Sequence, residues 1–256
     1  MDRTQLQQLF DMTGRVAVVT GGTRGIGRAI AEGYVAAGAS VAVVSRNEQD
    51  CKDTAEHLRS LGGDAVGFAA DMGDLDDVVT IVERTVSELG GLDVLVNNAG
   101  VGPIHTIGEL RVDEWQQVFD VNVKGPVFLI EQALPHLRKS GSGAVLNILS
   151  IAAFNDTSVF PIYASSKAAL FAHTRSAAAA LGQHGIRVNA IAPGPFDTEL
   201  LRSQTPDPNA VGGMTILKRV AAPDEIVGPA LMLTSNAGSF MTGQVLMVDG
   251  GFVVAR

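Results

Sequence analysis

Arg15-Val16-Ala17-Val18-Val19-Thr20 runs directly into Gly21-Gly22-Thr23-Arg24-Gly25-Ile26-Gly27, and a helix-forming stretch from Arg28 to Ala37 follows. The apolar, β-branched run has no polar alternation, so it reads as a short strand buried on both faces. Glycines in the turn allow an anion close to backbone N–H groups, and the positive end of the helix dipole favours the same charge. Strand, glycine turn and helix in this order suit a dinucleotide pyrophosphate. The spacing is Gly-x-x-x-Gly-x-Gly instead of the commoner Gly-x-Gly-x-x-Gly. Gly21, Thr23, Arg24, Gly25, Ile26 and Gly27 are the candidate phosphate-side contacts.

Outward from this unit, strand-like and helix-like stretches alternate. Strands are expected at Val41–Ser45, Ala65–Ala70, Leu92–Asn97, Ala144–Ser150, Ile186–Ile191 and Gln244–Val248. Helices are expected at Asp50–Leu61, at Asp74–Leu89 with Asp74 as cap, over the long Val112–Lys139 stretch, and at the alanine-rich Tyr163–Gln183. Continuous apolar strands separated by helices imply an α/β class: a single-domain, doubly wound Rossmann fold, its central parallel sheet of about seven strands covered on both faces. Residues 1–13 read as an N-terminal tail and 14–256 as one domain. Pro195–Thr215 lacks clear periodicity and reads as a substrate loop or lid.

Composition narrows the function. Net charge is −8 with no basic stripe, which argues against nucleic acid and anionic membranes as partners. Cys51 is the one cysteine, so no internal disulfide can form. Five histidines without ligand spacing offer no metal site. No leader or spanning segment is evident, so the cytoplasm is the expected compartment.

The tip of the second strand bears on which dinucleotide binds. An acidic residue there would hold the ribose 2′-hydroxyl of NAD. The sequence reads Val44-Ser45-Arg46-Asn47 instead. Arg46, with Arg24 able to point at the same place and Ser45 beside them, makes a cradle for a 2′-phosphate, so NADP(H) is the expected cofactor.

Thr20–Gly27, Asp71, Asn97-Asn98-Ala99-Gly100, Asn122, Ser150, Tyr163-Ala164-Ser165-Ser166-Lys167, Pro193-Gly194 and Asp249-Gly250-Gly251 occur in the order of a known family. From about Gly14 to Phe252 the chain resembles the short-chain dehydrogenase/reductases, nearest to their 3-oxoacyl-[acyl-carrier-protein] reductase-like branch. The resemblance implies interconversion of a ketone and a secondary alcohol by hydride transfer. Tyr163 would be the general acid/base, Ser150 would polarise the carbonyl, and Lys167 would hold the nicotinamide ribose. The Asn122 side chain would hold a water linking Lys167 to solvent. Elementary chemistry agrees: Tyr163 and Lys167 are i and i+4 on one helix face, and a nearby ammonium should lower the phenol toward working pH. Further cofactor contacts implied are Ser45, Arg46, Asn47, Asp71, Met72, Asn98, Ala99, Gly100, Val121, Pro193, Gly194, Phe196 and Thr198. Asn97 would tie neighbouring strands, and Asp249-Gly250-Gly251 would form a structural turn. The family usually assembles as a homotetramer, and the alanines of the Tyr163 helix and the apolar Phe252-Val253-Val254 fit such interfaces.

Ser150 lacks the glycines of a hydrolase nucleophile elbow. The alternative to an enzyme is a non-catalytic NADP-sensing regulatory protein on the same fold. The small-molecule substrate itself is not named by any motif. Its pocket walls are expected from Val101–Thr106, Ile151–Phe160, Pro195–Thr215 and Met241. Phe154, Val159, Phe160, Phe196 and Leu200 would be the apolar lining, and His105, Asn155, Asp156 and Arg202 the polar exceptions.

Overall fold

The computed structural model describes residues 1–155 and 157–254. In chain order the main elements are α1 (Arg3–Gln8), β1 (Val16–Thr20), α2 (Gly25–Ala36), β2 (Ser40–Ser45), α3 (Glu48–Ser60), β3 (Ala65–Ala69), α4 (Leu75–Leu89), β4 (Val94–Asn97) and α5 (Val112–Phe119). There follow α6 (Gly125–Ser140), β5 (Ala144–Ile148), α7 (Pro161–Leu181), β6 (Arg187–Pro193), α8 (Glu199–Gln204), α9 (Pro208–Gly213), α10 (Val227–Thr234) and β7 (Val245–Val248). All strand pairs are parallel, in the order β3-β2-β1-β4-β5-β6-β7. The chain therefore reverses its winding between β1 and β4, and ligands of such sheets bind beyond the carboxyl ends of the strands at that point.

Both faces of the sheet are covered. Val94 and Val96 of β4 pack with Ile30 and Tyr34 of α2, Leu58 of α3 and Leu233 of α10. Leu95, between them, packs on the opposite layer with Ile81 of α4, Leu129 of α6 and Leu181 of α7. A strand whose alternate residues enter two different cores has no solvent face, which explains the unbroken apolar runs.

The local signals at helix ends hold. Asp74 accepts a hydrogen bond from the Asp76 N–H and caps α4, and Gly38 takes φ of +95° just past the end of α2.

Three expectations need correction. The N-terminal stretch is not a bare tail: Asp2 and Gln5 form a capping box at the start of α1, Met12 is fully buried, and Leu9 accepts a hydrogen bond from the Ala237 N–H. The segment 195–215 is not irregular throughout, because α8 and α9 lie within it, capped by Thr198 and Asp207. The long helical stretch is interrupted by a π-turn at Asp120–Lys124 between α5 and α6. Such turns interrupt the regular ladder and recur at functional sites; this one contains Asn122.

Candidate active site

At the carboxyl ends of the strands lies a cleft of about 1160 Å³. Its cofactor side starts at the glycine turn. A Cβ placed on Gly27 would lie 2.2 Å from the Gly21 carbonyl oxygen, so a side chain there is incompatible with the turn. Arg24 sits at the N-cap of α2 in extended conformation and supplies no side-chain cap, which leaves the N–H groups of the first turn available to an anion. The Thr20 hydroxyl accepts from the Asn98 and Ala99 N–H groups, while the Asn98 amide donates to the Thr20 and Gly21 carbonyls at 2.9 and 3.0 Å. These bonds staple the Asn98-Ala99-Gly100 turn onto the glycine turn. Replacing Gly27 with Ala should therefore weaken dinucleotide binding by at least about tenfold, consistent with the cost of overpacking; fluorescence titration of the folded variant checks this.

Of the expected cofactor residues, Gly21, Thr23, Arg24, Gly25, Ile26, Gly27, Ser45, Arg46, Asp71, Met72, Asn98, Ala99, Gly100, Val121, Tyr163, Lys167, Pro193, Gly194, Phe196 and Thr198 all line the cleft. Asn47 does not; its side chain accepts from the Gln49 and Asp50 N–H groups as the cap of α3. Arg24 lines the same cleft as Arg46. It forms an ion pair with Glu199 of α8, both side chains largely exposed. Arg46 follows Ser45 at the tip of β2, and Arg24 is tied to α8. Asp71 is braced by the Gly73 N–H on its Oδ1, and the Asp77 carboxylate accepts the Asp71 N–H.

Asn97 donates to Asn147 at 2.8 Å, bridging β4 and β5, and Asn147 donates onward to Thr174 of α7. This buried chain fixes α7 against the sheet. Gly194 lies so close to Asp249 that an added Cβ would meet the Asp249 Cα at 2.6 Å, and Asp249 caps its own turn by accepting from Gly251 and Val253.

Ser150, Tyr163 and Lys167 converge on one end of the cleft. Tyr163 is 8% exposed and Lys167 is 3% exposed. Lys167 Nζ donates to the Ile148 carbonyl at 2.8 Å and lies 5.7 Å from the Tyr163 ring centroid. Burial draws the Lys167 ammonium down to about 8. Burial also raises the Tyr163 phenol, and a hydrogen bond with Ser150 opposes that rise. The lysine is engaged with a backbone carbonyl, and desolvation of the phenolate dominates. Ser150 has the geometry of a cap as well, accepting from the Ala152 N–H at 3.1 Å.

Asn122 is fully buried and does not line the cleft. Its Oδ1 accepts from the Val101 N–H, and its Nδ2 donates to the Val101 carbonyl and the Ser166 hydroxyl. The side chain holds the 101 segment against α7, and its Oδ1 and the Lys167 Nζ would each lie 3.3 Å from a Cβ placed on Gly100.

The substrate end has walls from three segments, as expected, with some residues elsewhere. Val159, Phe160, Phe196, Leu200 and Asn155 line it. Phe154 packs on Phe171 instead, ring centroids 5.1 Å apart, and Met241 joins the core. Arg202 is held by Asp197, and His105 is buried behind the wall with neither ring nitrogen bonded. Asp156 lies outside the described residues. Gln204 and Gly102 belong to two of the expected wall segments. Gln204 Nε2 donates to the Gly102 carbonyl at 2.9 Å, so α8 reaches across the cleft, and a Cβ placed on Gly102 would lie 3.0 Å from the Tyr163 ring. Val44 and Ala70, at the ends of β2 and β3, also line the cleft; the strand-end rule alone would have found them.

The profile of short chain dehydrogenases matches residues 15–209. The chain belongs to that family. It is 38% identical to General stress protein 39 of Bacillus subtilis (strain 168), over 94% of this chain and 85% of that protein. It is 36% identical to the 3-oxoacyl-[acyl-carrier-protein] reductase FabG of Chlamydia muridarum, over 94% of this chain and 98% of that one. A gluconate 5-dehydrogenase from Burkholderia cenocepacia J2315, solved in complex with NADP and tartrate, superposes with a TM-score of 0.93 at 31% identity, covering 98% of this chain and 100% of that one. This short-chain dehydrogenase is thus an oxidoreductase of single-domain Rossmann architecture. Among its described residues no helix is long and apolar enough to cross a membrane.

Proposed function

We propose that this short-chain dehydrogenase is an NADP(H)-dependent enzyme that reduces a ketone to a secondary alcohol, or runs the reverse, with Tyr163 as the proton donor and acceptor. The observation that carries the reading is the convergence of Ser150, Tyr163 and Lys167 at one end of a cleft whose other end is a glycine-lined helix N-terminus. The nicotinamide supplies or takes the hydride. The protein's residues do the rest. The glycine turn and the unsatisfied N–H groups of α2 bind the pyrophosphate, and Asp71 and Met72 flank the adenine. Arg46 and Ser45 take the 2′-phosphate, while Asn98–Gly100 and Lys167 hold the nicotinamide-side ribose. The Ser150 hydroxyl donates to the substrate oxygen. Tyr163, kept protonated by burial, transfers its proton to that oxygen as negative charge develops there. Asn122 positions the Gly100–Gly102 segment beside Lys167 through Val101.

α8 and α9 close over the bound ligands, and the Gln204–Gly102 bond supports that role because it already spans the cleft. A spectrophotometric screen of NADPH with varied ketones tests the reading: oxidation of NADPH dependent on a ketone supports it, and bound NADPH with no turnover on any carbonyl would favour a sensor.

The working form is proposed to be a cytoplasmic homotetramer. Trp115 of α5 and Phe128 of α6 are 40% and 44% exposed, and Ala172, Ala179 and Ala180 lie on the open side of α7. The second face is narrower than the C-terminal apolar run implies. Phe252 is buried against the cleft, whereas Val254 and Phe240 are open, and Met247 is partly so. Two-fold pairing would cover each patch with its own copy. Light scattering at micromolar concentration should give about four times the 26.7 kDa chain mass. A monomer would overturn this, and a dimer would leave one interface only.

A further inference from the structure

Among the described residues lining the cleft, the carboxylates are Asp71 and Glu199. Asp71 stands at the proposed adenine position, whereas the chemistry above gives Glu199 no role. Glu199 opens α8, and its carboxylate pairs with Arg24 of the glycine turn. The two elements meet there: the Thr198 Cγ2 would lie 3.1 Å from a Cβ placed on Gly25. The glycine turn is also bonded to the end of β2, the Gly21 N–H donating to the Val44 carbonyl at 2.7 Å. Arg24 lies three residues past Gly21 and Arg46 two past Val44, so the two arginines that line the cleft flank one junction of turn and strand.

Arg24 is held lightly enough to change partner. Its side chain takes no part in capping α2, and the side chains of the pair with Glu199 are 67% and 63% exposed. Such a pair is screened by water and salt and adds little net stability. A phosphate on the same guanidinium accepts charge-assisted hydrogen bonds in a matched fork, which makes it the stronger partner. Losing Arg24 does not strand Glu199. Asp197 first, and Glu199 more weakly, hold the Arg202 guanidinium above its ordinary range, so a second cation of α8 lies within the field of the carboxylate. Its exposure keeps it hydrated as well.

Resting on the NADP(H) reading, we propose that Glu199 is a cofactor-specificity residue: its carboxylate competes with the 2′-phosphate of NADP(H) for the Arg24 guanidinium and so holds down the preference for NADP(H) over NAD(H). A cofactor without the 2′-phosphate leaves the Arg24–Glu199 pair intact. A cofactor with it gains Arg24 as a second guanidinium beside Arg46, at the cost of breaking the pair. Glu199 therefore acts through Arg24 and not by its own contact with the cofactor.

The test is a double-mutant cycle on the purified protein: parent, Glu199→Gln, Arg24→Ala and the double variant, each titrated with NADPH and with NADH. Both positions are exposed, and thermal melts by circular dichroism check that each variant is folded. Glu199→Gln should tighten NADPH by about two- to fivefold, the worth of an exposed pair, with NADH nearly unchanged. Arg24→Ala should weaken NADPH more in the Glu199→Gln background than in the parent, and Glu199→Gln should bring no gain in NADPH over NADH once Arg24 is gone. A ratio of NADPH to NADH affinity that stays the same or falls in Glu199→Gln overturns the inference and leaves the NADP(H) reading standing. So does a gain that persists in the Arg24→Ala background, since it would come from simple repulsion between Glu199 and the cofactor. Equal affinity for the two cofactors in both the parent and Glu199→Gln overturns the NADP(H) reading together with the inference.

Discussion

Tyr163→Phe is expected to lower kcat by between about 10²- and 10⁴-fold while NADPH still binds, the range for loss of a positioned general acid. The ring that remains keeps its edge-on contact with Phe160, centroids 6.2 Å apart, and its place beneath Gly102. What disappears is the hydroxyl, its hydrogen bond with Ser150 and the transferable proton. The resting phenol lies above its ordinary value, so the acid form is the one present at neutral pH, as reduction of a carbonyl requires. Steady-state kinetics with a cofactor titration in parallel separate the two effects. A variant that keeps a tenth of the parent rate would show that the proton comes from another group.

Replacing the β2-tip arginine should change which cofactor is bound. A hydrogen bond to a charged group contributes roughly 1.5–3 kcal/mol, so Arg46→Ala should weaken NADPH by about 10- to 150-fold. NADH, without the 2′-phosphate, should be nearly unaffected. Arg24→Ala should cost less, because Arg24 is held by Glu199 across an exposed pair of small net value. The double variant should remove most of the preference. Equal affinity of the parent protein for NADPH and NADH would contradict the assignment of Arg46.

Much of the fold was readable because its signals are local. The turn from Thr20 to Gly27 needs only its own residues, and Tyr163 with Lys167 needs only one turn of helix. The doubly buried strands announce themselves by lacking alternation. Where reading failed, the cause lay in distance or in size. The Arg24–Glu199 pair joins residues far apart in the chain, and nothing near Arg24 signals it. Helices α8 and α9, six residues each, are too short to establish a period, although Thr198 and Asp207-Pro208 are cap signals that could have been noticed. Asn47 belongs to the same group: an Asn just before a helix is a cap first. The π-turn around Asn122 has no compositional mark, and it turns that side chain toward Val101 and Ser166. The direction of the Tyr163 shift depends on burial and on where the Lys167 ammonium finds its partner, and spacing along a helix reveals neither.

Deuteride transfer tests the central claim most directly. NADPH carrying deuterium at the transferring position of its nicotinamide would be incubated with the enzyme and a turned-over ketone, and the product examined by mass spectrometry and NMR. The account predicts a secondary alcohol with one deuterium on its carbinol carbon for each NADP⁺ formed, at a rate about 10²- to 10⁴-fold lower in Tyr163→Phe. NADPH that binds tightly yet delivers no deuterium to any carbonyl would contradict it.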